Sequence, residues 1–375
     1  MRRPYGFPNH ETLLALLFTT LVLIHFAPRQ TAGQPITPPS ARPHQVFIEH
    51  GDPDRLIFVD LLTGEEQAVS SRGERYTIYG GEVLFFDADR RQMMIAGADG
   101  RLRPHTFIQP GREARRIDWA ISSDEQMIAW TITTGTPSAL RTTTYVADSS
   151  GAASARPVFS DGPHDGIRAY PVAFNRDRNI LYMDYQPDFI ADFTPFRQHA
   201  SLFSLDLDSG AIAPLPGEPG CFCGAGIGGG RFLRLMLAAE GGFDLRVVDL
   251  DTDLAQTIRG LGLAEYTQGG DVLLAPDGAR AVYTLARVRG FGTAQQMLET
   301  VFILVDLVTM SQRILFETDD LFLRPVTWTD DDSAILLISP TAAGTWKLSV
   351  PSGELSQVAS ATYLGTMMPA QGGTS

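Results

Sequence analysis

The sequence predicts an all-β fold: a seven-bladed β-propeller built from four-stranded antiparallel blades, with six or eight blades as the neighbouring solutions. Three observations predict it. A β-rich run that ends in an Asp step and a Thr/Ser-Gly turn recurs along the chain. A second unit, an Asp-bearing turn followed by an apolar strand, precedes several of its copies. Beyond Pro43 the apolar runs are short and separated by Gly, Asp, Ser and Pro, which is strand-and-turn punctuation.

The first unit reads IFVDLLTG (57–64), SLDLDSG (204–210), RVVDLDTD (246–253), ILVDLVTM (303–310) and KLSVPSG (347–353), with looser copies MMIAGADG (93–100) and TYVADSSG (144–151). Its copies recur about every 48 residues, the length of one four-stranded blade. The second unit reads SSDEQMIAW (122–130), NRDRNILYM (175–183), APDGARAVYTL (275–285) and TDDDSAILLI (329–338), each after a short apolar strand. One blade is therefore strand, Asp turn, strand, longer connection, strand, Thr-Gly turn, strand. Gly and Asp suit such tight hairpins because they tolerate positive φ. The first copy lacks an inner strand, and ATYLGTMM (361–368) is placed to supply it and close the ring. The propeller is expected over 46–368, with 369–375 as a flexible tail.

Ala275-Pro276-Asp277-Gly278, followed by an apolar strand and then by VDLVT at 305–309, resembles the repeats of TolB-like and WD-repeat-like β-propellers. The resemblance runs over most of 46–367, although Asp124, Asp177 and Asp331 keep only the acid. It implies a binding or scaffolding module. Some members serve as the lid of prolyl-oligopeptidase-type hydrolases, but no Gly-x-Ser-x-Gly elbow occurs here.

The N-terminus predicts export. Arg2 and Arg3 precede an apolar run from Leu13 to Ala27, and Thr31-Ala32-Gly33 forms a small-residue cleavage site. Residues 1–33 read as a signal peptide or a retained membrane anchor. Residues 34–45 read as a Pro-rich spacer. The expected location is periplasmic, cell-surface or secreted, with membrane contact only through this segment. The net charge of −13 sets the chain against phosphate backbones, so nucleic acid is not an expected partner. Lys347 is the only lysine, so the sequence has no Gly-Lys-Ser/Thr phosphate loop.

The two tight turns of each blade share one face of the ring. The connections between middle strands and the links between blades share the other, and the segments 133–143, 185–200 and 287–300 are expected there as long insertions. Loops on a rigid scaffold carry binding sites. The candidate binding residues are Tyr185, Phe189, Phe193, Phe196, Arg197 and His199 on one insertion and Arg287, Arg289 and Phe291 on another. Aromatic residues with arginine are interface chemistry, with a satellite core of packed rings as the alternative.

Other motifs are weaker. Cys221 and Cys223 are read as packed thiols, with a strained disulfide or metal ligation as alternatives. Gly224, Gly226 and Gly229 satisfy Gly-x-Gly-x-x-Gly, but with strands on both sides rather than a βαβ unit. No cofactor is expected beyond a structural Ca²⁺ at an Asp-rich turn such as Asp249/Asp251/Asp253. The inner strands contribute Asp118, Tyr170, Asp271 and Thr327 to the channel. The expected function is non-catalytic binding of a protein, peptide or polymer by a monomer. A hydrolase, lactonase or cyclase site built in the pore is the alternative.

Overall fold

The computed structural model describes residues 42–148, 151–188, 196–216, 224–290, 297–319 and 321–368. These residues form strands β1 to β28 in chain order, arranged as seven four-stranded sheets, and no helix occurs among them. Blade one has the order β28-β1-β2-β3. Blades two to seven run in sequence order from β4 to β27.

Blade one is sewn from both ends of the domain. β28 (Thr362–Met367) pairs antiparallel with β1 (His44–Glu49), with Val46 opposite Gly365. β2 (Asp54–Asp60) and β3 (Glu66–Ser71) complete it. The inner strands of the other blades are β4 (Glu74–Tyr79), β8 (Arg116–Ile121), β12 (Ile167–Asn175), β16 (Ala225–Gly228), β20 (Gln268–Leu274) and β24 (Arg324–Thr329). The segment at 76–108 is thus a full blade, and the count is seven.

The core is laminated between blades. Leu233, Leu245 and Val247 of blade five pack with Tyr283, Leu285 and Ile303 of blade six. Val282 and Phe302 of blade six pack on their other side with Ile335 and Leu348 of blade seven. Each sheet covers both faces on its neighbours, so no blade is a stable unit alone.

Both turn signals have a visible cause. The Asp steps are side-chain-capped turns: Asp249 Oδ1 accepts from Asp251 N at 3.1 Å and Thr252 N at 2.9 Å, and Asp60, Asp206 and Asp306 repeat the pattern. The first turns of the blades place Glu125, Asn179 and Gly278 at positive φ, and blades two and five use Gly80-Gly81 and Gly229-Gly230. The glycine motif at 224–229 is therefore an inner strand and its turn. A Cβ at Gly226 would lie 2.6 Å from Val272 O, so close packing on β20 demands glycine there.

One expected insertion is strand instead. Residues 133–143 continue β9 (Met127–Thr136) into β10 (Ala139–Asp148), closed by a turn at Pro137-Ser138. Its threonines are polar, but β-branching favours extended backbone. Likewise β21 (Arg280–Arg289) and β22 (Met297–Asp306) extend into the 287–300 segment. Cys221 and Cys223 lie outside the described residues, as do 1–41 and the tail after Met368.

His105, between blades two and three, predicts an acid limb of stability. Its Nδ1 accepts from Ile108 N at 3.1 Å, which requires the neutral ring. Burial, helped by the charge of Arg103, pushes its pKa from 6.5 down to about 4. Below pH 6.5 the unfolded chain binds a proton that the folded chain refuses, so stability falls until both forms are protonated near pH 4. The full loss is ~3 kcal/mol. Denaturant melts across this range should show that fall in the native chain and its removal in His105→Asn.

Candidate functional site: a guanidinium cluster at the channel mouth

Each inner strand begins on the face of the ring that carries the middle-strand connections, called here the loop face. Three inner strands carry an arginine in their first two residues, and these converge on one carboxylate. Asp118 on β8 is buried. Its Oδ1 accepts from Arg75 Nη1 at 2.5 Å and from Arg116 Nε at 3.3 Å, and its Oδ2 accepts from Arg168 Nη1 at 2.5 Å. Arg168 is 1% exposed, whereas the side chains of Arg75 and Arg116 are 40% and 29% exposed. Arg75 lies 4.4 Å from the Trp119 ring centroid and also donates to Ile117 O.

A second layer steadies the first. Arg168 lies 4.9 Å from the Tyr170 ring centroid and its Nε sits 3.3 Å from Asp188 Oδ1, and Asp188 also meets Arg115 at 3.3 Å. Tyr170 donates to Asp184 Oδ2 at 3.1 Å. Asp184, on β13 (Ile180–Pro187), further accepts from Ser201 N at 2.7 Å and sits 3.3 Å from His199 Nδ1.

The electrostatics follow from this crowding. Burial alone would raise the Asp118 carboxyl, but the charges of Arg168, Arg75 and Arg116 hold it below the usual carboxylate value. Desolvation lowers the Arg75 pKa. The charges of Arg116 and Arg168 lower it further, while Asp118 opposes the fall. Burial raises Tyr170 well above its ordinary value, with Asp184 adding to the effect. A guanidinium-rich donor set of this kind suits an anion rather than a metal cation.

The end of the 185–200 segment reaches from blade four to blade six. Arg197 N donates to Asp271 Oδ1 at 2.9 Å, and Gln198 Nε2 donates to Gly269 O at 3.0 Å, so blade four is strapped to the inner strand of blade six. Arg324 clamps the same Asp271 through two bonds of 2.8 and 2.6 Å, and Asp271 adopts a φ of 51°. A Cβ at Gly270 would lie 2.5 Å from Phe196 Cβ and 2.9 Å from Arg197 O. Gly270→Ala should therefore cost about 2 kcal/mol and loosen the strap. Faster hydrogen exchange at Ala200 and Ser201 would register it, and unchanged exchange would refute it.

The residues expected from sequence are placed as follows. Phe196 is buried against Phe322, with ring centroids 5.2 Å apart. Tyr185 stacks on Phe203 at 4.9 Å, and His199 is buried behind Tyr170. Arg197 is exposed. Arg287 and Arg289 both pair with Glu299. Phe189, Phe193 and Phe291 lie outside the described residues. Asp118, Tyr170, Asp271 and Thr327 do lie on inner strands. Sequence reasoning missed Arg75, Arg116, Arg168 and Arg324. The available signal was an arginine in the first two residues of four inner strands.

No protein-family model matches this chain, and no curated protein matches it. Solved structures do. One belongs to a study of two prolyl endopeptidases and the role of inter-domain dynamics in their catalysis (TM-score 0.59, 12% identity, 87% of this chain and 50% of that one). Another is an oligogalacturonate lyase in complex with manganese (TM-score 0.51, 13% identity, 86% of each chain). TolB from Acinetobacter baumannii is also among them (TM-score 0.40, 14% identity, 73% of this chain and 63% of that one). The chain spans about half the length of the prolyl endopeptidase it matches. At such identities the likeness speaks to architecture, and together with the strand order it makes this chain a seven-bladed β-propeller.

Proposed function

We propose that this chain is an exported β-propeller whose loop face binds a protein or peptide partner without converting it. One observation carries the reading. Neighbouring loops of blades five and six leave Leu237, Leu261 and Met297 72%, 40% and 42% exposed. These loops touch one another: a Cβ on Gly241 would meet Ala264 at 3.1 Å, and Arg287 pairs with Glu265 at 3.0 Å. Arg289, with 59% of its side chain exposed, borders them. Aliphatic side chains rimmed by arginine are the surface of an interaction site. Export is supported by Arg2, Arg3 and the apolar run from Leu13 to Ala27.

The test is proximity labelling with the full-length chain in cells, compared with Leu237→Glu/Met297→Glu. A defined extracytoplasmic partner lost in the variant is expected. An unchanged labelling profile, or cytoplasmic partners only, would overturn the reading. A second reading, a pore enzyme, is favoured by the Tyr170–Asp184–His199 chain beside the channel. Turnover of proline-containing peptides or oligogalacturonate that disappears in Tyr170→Phe would replace the binding reading with that one.

A further inference from the structure

We infer that Met297 is an oxidation site that switches the aliphatic surface of blades five and six: conversion of its thioether to the sulfoxide by a peroxide closes that surface to a partner. The closure rests on the binding reading above. The oxidation itself rests on Met297 and its neighbours alone.

Exposure selects Met297. Met93, Met94, Met183 and Met367 are buried at 3% or less. Met127, Met236 and Met310 are half-buried. Among the described methionines, Met297 and Met368 are the exposed ones, at 42% and 61%. Met368 follows β28, whose end pairs with His44 on the turn face, so Met297 is the exposed methionine of the loop face. Its companions Leu237 and Leu261 are inert to peroxide, so the reactivity of the surface is concentrated in Met297 Sδ. In the step, the sulfur lone pair attacks one oxygen of hydrogen peroxide. The S–O bond forms as the O–O bond breaks, the sulfur is oxidised and the peroxide reduced. The proton on the transferred oxygen passes to the departing hydroxide, which leaves as water. An exported chain meets such oxidants without the reducing systems of the cytoplasm.

Position gives the oxidation its effect. Met297 opens β22 and lies directly across from Arg289 on β21. Cross-strand partners share a face of the sheet, with Cβ atoms about 5 Å apart. Tyr283 and Leu285 lie on that same face of β21 and pack on blade five, so Met297 and Arg289 are turned toward Leu237 and Leu261. Arg289 pairs through Nε with Glu299 Oε1 at 2.7 Å. A guanidinium carries further N–H donors beyond Nε, which a thioether engages only weakly. A sulfoxide oxygen is a polar acceptor. Oxidation therefore sets an oxygen among aliphatic side chains and draws Arg289 from the rim toward Met297. A partner fitted to the reduced surface would have to bury that oxygen or compete with Arg289 for it.

The experiment treats the folded full-length chain with graded hydrogen peroxide and maps sulfoxide by peptide mass spectrometry. Met297 and Met368 should oxidise first, on the order of tenfold faster than Met93, Met94, Met183 and Met367. The dye 8-anilinonaphthalene-1-sulfonate reads the surface without a partner. Its fluorescence on the native chain should fall with oxidation and return after treatment with methionine sulfoxide reductases. Met297→Leu, close in volume, should make the dye signal insensitive to peroxide, whereas Met368→Leu should leave the response in place. In cells, proximity labelling of the extracytoplasmic partner should fall several-fold after peroxide exposure. In Met297→Leu it should not respond to peroxide, whatever the untreated level of that variant. Labelling that Leu237→Glu does not change would remove the binding reading, while the mass spectra and the dye still decide the oxidation site. Met297 oxidising no faster than the four buried methionines, or a peroxide response that persists in Met297→Leu, would overturn the inference.

Discussion

Removal of Thr362–Met368 is expected to abolish cooperative folding. These residues supply the whole inner strand of blade one, pairing with β1 from His44↔Met367 to Ile48↔Thr362. Met367 and Tyr363 are buried, and Met367 packs in the cluster that joins blades one and two. Without β28 the first blade loses its channel edge, and β4 loses the neighbour that closes the ring. The open edge of β1 would expose an unpaired row of backbone groups, an aggregation template. The loss exceeds ~5 kcal/mol, enough to unfold most domains. Calorimetry of the truncated chain should show no sharp transition, and a synthetic peptide of residues 362–368 should restore part of it. A truncated chain melting within about 2 °C of the full one would show that the closure contributes little.

Asp118→Asn is expected to cost about 3 kcal/mol, because it removes the closer of the two carboxylates paired with Arg168, which is 1% exposed, and leaves it only the 3.3 Å contact to Asp188. The sign of its pH dependence follows from the depressed carboxyl. Above the unfolded value near 3.8 the carboxylate is ionised in both states and its full contribution is present. As pH falls from there through the lower folded value, the unfolded chain takes the proton first, and the contribution drains away. The native chain should therefore lose stability on that acid limb, and the difference between the native chain and the Asp118→Asn variant should shrink there. Removing the opposing charge as well, in Asp118→Asn/Arg168→Gln, should recover part of the loss. A double-mutant cycle with no coupling would refute the pairing.

The propeller was readable because its turns are chemically local. An Asp that caps its own turn and a Thr-Gly step announce two of the turns in a blade wherever they stand, and β28 was needed to complete the count. Blade five was harder. Its inner strand, Ala225–Gly228, carries glycines where the close approach of β20 leaves no space for side chains, so it imitates a phosphate loop. The 133–143 segment misleads because threonine is polar in composition and extended in conformation. The channel site was only half legible. Asp118 and Tyr170 could be assigned to inner strands, but the arginines that meet them come from separate blades. Arg75, Arg116 and Arg168 are ordinary surface residues until the ring closes and sets their strands side by side. Phe196 and His199 stood out as binding chemistry, yet they are buried where the strap from blade four crosses to blade six.

The register between Val46 and Gly365 also governs when the protein can mature. The pairing joins the two ends of the domain in sequence, which makes it the slowest contact for a diffusing chain to find. During synthesis β1, β2 and β3 emerge first and then wait, a three-stranded sheet without its channel edge, until the last strand has been made. Every intermediate before that moment carries an open seam. A holdase or a secretion channel that keeps the chain extended until its final residues arrive would protect that seam, and a ribosome paused before residue 362 would leave it exposed.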